Sequence, residues 1–236
     1  MTQKTAIVTG ASSGIGAAIA EQLINQQYQV IGLARDFSKC SFRSDLFVTV
    51  NMDFSNINSL PEQLTNLTKK YTDVDALICC TGRGQFGSLE EFSYPQIQSL
   101  MELNFLSQAF VSKAFIPGMK RRGHGDIIYI GSESALNGGR KGAIYCASKF
   151  ALRGMAQSLR EECGRNGVRV TLINPGMVKT PFFDSLEFEP GMNEENYILP
   201  GDIAETVAMV LSSRRETVFD EINLSPLTKV IQNKPK

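Results

Sequence analysis

Short apolar runs rich in β-branched residues alternate with stretches of helical periodicity along the whole chain, and no other feature constrains the fold as much. Strands are expected at residues 5–9, 29–34, 46–50, 76–80, 126–130, 168–173 and 219–224. Helices are expected at about 14–27, 57–71, 95–122, 143–165 and 201–213, the third interrupted near Asn104 or near Pro117. Strands separated by helices pair in parallel, because a crossover is needed to return the chain to the same edge. Their near-continuous apolar character suits burial on both faces. The expected fold class is therefore α/β, a doubly wound parallel sheet of about seven strands flanked by helices.

The first strand runs into Thr9-Gly10-Ala11-Ser12-Ser13-Gly14-Ile15-Gly16, which opens the first helix. Glycines at such a turn let the backbone approach a pyrophosphate, and the helix N-terminus adds free N–H groups and the positive end of a dipole. The spacing is G-x-x-x-G-x-G rather than the common G-x-G-x-x-G, so the expectation of a Rossmann-type dinucleotide site rests on position as well as on composition. The 236 residues suit a single domain. Residues 181–200 are expected to form an irregular substrate loop, and residues 226–236 a loose polar tail.

Tyr145 and Lys149 lie four apart at the start of an expected helix and so share a face. A nearby ammonium favours the phenolate, and acid–base work near neutral pH benefits from such a shift. Ser132 stands just past the fifth expected strand, at the sheet edge where ligands of open α/β folds gather.

These pieces resemble the short-chain dehydrogenase/reductase family across residues 4–224. The resemblance rests on TGASSGIG at 9–16, Asp53, CCTG at 79–82, Asn104, Ser132, YCASK at 145–149, and Pro175-Gly176 with Thr180. It implies an enzyme that moves a hydride between a nicotinamide dinucleotide and a carbonyl/alcohol pair. By the same resemblance Tyr145 is the acid or base, Ser132 polarises the carbonyl, and Lys149 holds the nicotinamide ribose and lowers the Tyr145 pKa. Asn104 positions a water in a proton relay. Gly10, Ser12, Ser13, Gly14, Ile15 and Gly16 cradle the phosphates, Asp53 meets the adenine, and Val178 and Thr180 meet the carboxamide. The family usually carries Asn-Asn-Ala-Gly where this chain has Cys79-Cys80-Thr81-Gly82. Cysteine is a poor hydrogen-bonding substitute for asparagine, but backbone contacts from Cys80 and Gly82 to a cofactor need no amide.

The second strand ends in Ala34-Arg35-Asp36. An acidic residue at the Ala34 position would bind a ribose 2′-hydroxyl, whereas Arg35 suits a 2′-phosphate. NADP(H) is the expected cofactor, with use of NAD(H) left open, and Asp36 is expected to face solvent or to pair with Lys39.

With 24 basic and 24 acidic residues and no basic block longer than a pair, neither nucleic acid nor an anionic membrane is an expected partner. No apolar run approaches the roughly 20 residues of a membrane span. The chain enters its first strand directly after Lys4, so no leader peptide and a cytoplasmic location are expected. The five cysteines, including Cys146 beside Tyr145, are expected to be reduced thiols, and the single histidine, His124, to sit in a surface turn. No cysteine pair has metal-ligand spacing, and no metal is expected. The partners expected are a small carbonyl or alcohol substrate and further copies of the chain in a homodimer or homotetramer. Phe105, Phe110, Leu152, Met155 and Leu159 are the apolar candidates for that interface. The alternatives are an NAD-dependent alcohol dehydrogenase of the same fold and a non-catalytic NADP-binding regulatory protein. The acidic residues of the substrate loop suit either a solvated surface or a cationic substrate, and Phe182 and Phe183 either a lid or packing within the loop.

Overall fold

The structure is a computed structural model that describes residues 3–38, 40 and 42–234. Its frame is β1 (Thr5–Thr9), α1 (Gly14–Asn25), β2 (Gln29–Ala34), β3 (Phe47–Asn51), α2 (Leu60–Lys70) and β4 (Ala76–Cys79). Then follow α3 (Tyr94–Met101), α4 (Ser107–Arg122), β5 (Gly125–Ile130), α5 (Ala143–Gly164) and β6 (Val168–Pro175). The chain closes with β7 (Phe188–Pro190), α6 (Pro200–Ser212), β8 (Glu221–Leu224) and β9 (Ile231–Asn233).

Seven strands form one sheet in the order β3-β2-β1-β4-β5-β6-β8, with every neighbouring pair parallel. The order reverses direction between β1 and β4, and the cleft outside the carboxyl ends of these strands is where such folds bind ligands. Alternate side chains divide the strands between two apolar layers. Ile7, Leu33, Leu77, Ile127 and Tyr129 pack against α2, α4 and α5. Val8, Val30, Ile78, Ile128 and Ile173 pack against α1 and α6. Cys79 and Cys80 accordingly join opposite layers, and all five cysteines are free.

The interruption in the third helical stretch lies at Asn104, not at Pro117. Glu102–Leu106 forms a π segment between α3 and α4, while Pro117 lies inside α4. Burial of Val111, Phe115 and Met119 against the sheet holds α4 together across the lost hydrogen bond. His124 follows the left-handed Gly123 that ends α4, in a partly exposed turn beside Asp75.

Two expectations need correction. The described part of the tail is not loose, because β9 pairs antiparallel with β7 inside the 181–200 segment. Around that pair, Thr228 N–H donates to the Glu195 carbonyl at 2.8 Å, Gly191 N–H to Val230 at 3.0 Å and Lys234 N–H to Glu187 at 2.8 Å. Leu152 is not an outer residue but lies in the core, where α5 meets the sheet, and Phe110, Met155 and Leu159 are partly buried against the same core. The acidic side chains Asp184, Glu187, Glu194 and Glu195 are exposed, as a solvated loop requires. No helix among the described residues is long and apolar enough to cross a membrane.

Candidate active site

The glycine loop fits a bound phosphate for reasons visible in its backbone. Gly10 and Gly14 adopt φ of +69° and +54°, which side-chain-bearing residues resist. A Cβ on Gly16 would stand 2.3 Å from the Gly10 carbonyl oxygen, so α1 starts hard against the loop. Gly10 N–H is anchored to the Leu33 carbonyl at 2.8 Å. The first N–H groups of α1 have no carbonyl one turn earlier to bind and remain available to an anion. Ser13 is the N-cap and makes no side-chain cap, so its hydroxyl is not spent on the helix.

Bracing of the central strand does not depend on asparagine. The Thr9 hydroxyl accepts from the N–H groups of Cys80 and Thr81 at 2.9 and 3.0 Å, and Gln108 donates to the Thr81 carbonyl at 2.7 Å. Thr9 opens the glycine motif, but its bracing role is not visible there, and Gln108 carries no sequence signal. Each acts only once the fold brings it beside the end of β4.

The π segment turns Asn104 inward, where it is fully buried. Its Oδ1 accepts from Arg83 N–H at 2.9 Å, and its Nδ2 donates to the Arg83 carbonyl at 3.0 Å and to Ser148 Oγ at 3.1 Å. Both N–H donors are thus committed, and a water could be held at Asn104 only by donating to it. Gly82 lies alongside, since a Cβ there would be 3.3 Å from Asn104 Oδ1 and 3.8 Å from Lys149 Nζ.

Ser132 follows β5 and is held by Asn174, whose Oδ1 accepts its N–H at 3.3 Å. Its hydroxyl oxygen accepts from Ser134 N–H at 3.1 Å, which leaves the hydroxyl proton to be donated. Tyr145 and Lys149 project from the first turns of α5, and Lys149 Nζ donates to the Ile130 carbonyl at 3.1 Å. Burial pushes the Tyr145 phenol up to about 12, opposed by a hydrogen bond with Ser132. Desolvation pulls Lys149 down to about 8, opposed by Cys80. The expected lowering of Tyr145 by Lys149 is not what this arrangement produces. The ammonium is 5.9 Å from the ring centroid, and the electrostatic influences on the phenol come from Cys146 and Glu133, both raising it.

On the other side of the cleft, Val178 bridges to Ile198. Thr180 Oγ1 donates to the Val178 carbonyl and accepts from Phe182 N–H, both at 3.3 Å. The Thr180 side chain would touch a Cβ on Gly14 at 3.4 Å. The glycine loop and the segment after β6 therefore meet across the cleft. At its far end Arg35 is exposed just beyond β2. The Asp53 carboxyl is held below its ordinary value first by Ser55 and, more weakly, by the Arg35 charge. Asp36 accepts from Ser38 N–H at 2.9 Å and Ser38 Oγ at 2.5 Å. The partner expected for it, Lys39, lies outside the described residues.

The family model described as short chain dehydrogenase matches residues 4–190. An uncharacterized oxidoreductase of Staphylococcus saprophyticus is 30% identical over 96% of the chain and 99% of its own length. A sepiapterin reductase of Chlorobaculum tepidum is 28% identical over 96% of the chain and 98% of its own length. Among solved structures, an alcohol dehydrogenase from Thermococcus sibiricus complexed with 5-hydroxy-NADP superposes with a TM-score of 0.84 at 28% identity, covering 96% of this chain and 97% of that one.

Proposed function

Because the chain belongs to the short-chain dehydrogenase family, and is thus an oxidoreductase acting on CH–OH or C=O groups, we propose that it is an NADP(H)-dependent carbonyl reductase with Tyr145 as its proton donor. The observation that carries this reading is the convergence of Ser132, Tyr145, Lys149 and Asn104 outside β4 and β5, next to a glycine loop shaped for a pyrophosphate. When bound, the nicotinamide supplies the hydride. Ser132 Oγ donates a hydrogen bond to the carbonyl oxygen and Tyr145 Oη delivers the proton to it. A phenol pushed up to about 12 stays protonated at neutral pH and so carries the proton that carbonyl reduction requires. Lys149 holds the ribose and returns a proton to Tyr145, and Asn104 accepts from a water that links Lys149 to solvent.

Gly10, Ser12, Ser13, Gly14, Ile15 and Gly16 would hold the phosphates, Asp53 the adenine, Cys80 and Gly82 the backbone side of the nicotinamide ribose, and Val178 and Thr180 the carboxamide. Arg35 supports a preference for NADP(H). It stands exposed at the end of β2, and the neighbouring Asp36 is engaged by Ser38. The exposed Leu106 and Phe150 on the helical side support assembly as a homodimer or homotetramer. The cytoplasm is the compartment proposed with this reading.

Titration of NADPH and NADH into the wild type and Arg35→Ala, followed by reduced-nicotinamide fluorescence, tests the cofactor assignment. A hydrogen bond to a charged group contributes about 1.5–3 kcal/mol, so Arg35→Ala should weaken NADPH roughly 10- to 100-fold and leave NADH nearly unchanged. Equal losses for both cofactors, or an initial preference for NADH, would contradict it.

A further inference from the structure

We infer that this site takes compounds whose carbonyl is attached to a planar conjugated ring, and that Phe86 and Phe182 are the side chains that select them. The inference rests on the reading of Tyr145 as the proton donor. The Phe86 ring lies 5.0 Å from the Tyr145 ring at 47°, and the Phe182 ring lies 6.1 Å from it at 57°. Phe188 backs Phe86 edge-on at 5.0 Å, and Phe183 backs Phe182 edge-on at 5.2 Å. Phe86 comes from the turn after β4 and the other three from the loop after β6, so the rings meet only in the folded chain.

Phe86, Phe182 and Phe188 are half-buried, so a cluster of partly exposed rings stands beside Tyr145. Clustered apolar surface beside a catalytic group marks a place for an apolar ligand. Gly84 makes room for the arrangement, because a Cβ there would stand 2.5 Å from Phe182 Cζ. The charged neighbours of the phenol are already occupied. The Glu133 carboxylate is paired with Lys229 at 2.7 Å, and Lys149 is held by the Ile130 carbonyl.

A substrate reaches Tyr145 by replacing the contacts that Phe86 and Phe182 make with it. A flat conjugated ring replaces them in kind, keeping centroid separations of about 4.5–7 Å with tilted or edge-on geometry. A saturated ring of the same size buries a similar apolar area but is thicker and lacks the quadrupole. The difference between the two isolates the aromatic contribution from plain hydrophobic burial.

The test titrates benzyl alcohol and cyclohexylmethanol into the full chain, with and without saturating NADP+. In parallel it measures NADPH-dependent reduction of benzaldehyde and cyclohexanecarbaldehyde. Two aromatic contacts imply that the benzyl compound binds about 5- to 150-fold more tightly. Phe86→Leu and Phe182→Leu keep apolar bulk but not planarity, and should bring that ratio toward one while NADPH affinity is retained. Equal binding of the two alcohols to the wild type, or a preference that survives both substitutions, would overturn the inference. A benzyl preference without reduction of any aldehyde would sink the reductase reading and leave the ring slot standing. Reduction of both aldehydes without any ring preference would do the reverse.

Discussion

Substituting Gly16 by alanine tests the cofactor loop through a distance rather than through a charge. The new Cβ would lie 2.3 Å from the carbonyl oxygen of Gly10, 2.7 Å from its carbon and 3.3 Å from Ala11 N. Ordinary contact begins near 3.4 Å, so the loop and the start of α1 must part by about 1 Å. Gly10 cannot move freely, since its N–H is bound to Leu33 at 2.8 Å. Overpacking of this kind costs about 1–3 kcal/mol. At roughly 2–4 °C per kcal/mol for a chain of this size, Tm should fall by roughly 2–12 °C. The same displacement takes helix N–H groups out of hydrogen-bonding reach of a phosphate, and losing one such bond weakens NADPH by roughly 10- to 100-fold. Scanning fluorimetry and NADPH titration measure both effects. Gly138→Ala serves as the control, because a Cβ there meets nothing within 4 Å. A Gly16→Ala protein with wild-type Tm and wild-type NADPH affinity would refute the reasoning.

Removing residues 227–236 deletes β9 and should release the 181–200 segment. Amide exchange at Gly191, whose N–H donates to Val230, should speed up at least ~10-fold, and unchanged exchange would show that β9 does not restrain the loop. The rate of carbonyl reduction should be level below about pH 8 and fall above it, because Lys149 is pulled down to about 8 by desolvation and its neutral form has no proton to return to Tyr145. In steady-state measurements the residual rate of Lys149→Met should lack this inflection, and its persistence would assign the titration to another group.

The seven-stranded sheet was legible because each strand is a short apolar run bounded by turn residues and separated by helical periodicity. The glycine turn after β1, Ser132 past β5, and Tyr145 with Lys149 on one face of α5 could be placed from spacing, while the roles proposed for them came from the family resemblance rather than from spacing alone. The β7–β9 pair was not. Its strands, Phe188–Pro190 and Ile231–Asn233, are three residues each, too short for alternation to register, and they are joined by long-range hydrogen bonds rather than by a turn. The aromatic cluster was legible in part. Phe182 and Phe183 are neighbours in the loop, but the approach of the Phe182 ring to Tyr145 depends on the space left by Gly84, almost a hundred residues away in the chain. Asn174 was likewise hidden, because a polar residue inside an apolar strand shows its purpose only when Ser132, Glu221 and Asn223 gather around it. The rise in the Tyr145 pKa was also out of reach, since spacing along a helix reports which side chains share a face but not how deeply a phenol is buried.

The central claim is that Tyr145 donates the proton, and the direct measurement is single-turnover carbonyl reduction by Tyr145→Phe alongside NADPH binding. The phenyl ring keeps its packing against Phe86 and loses only the hydroxyl. General acid catalysis contributes about 100- to 10,000-fold, so the rate should fall by that order while NADPH affinity stays near that of the wild type. A Tyr145→Phe protein that still reduces its best aldehyde at close to the wild-type rate would contradict the account.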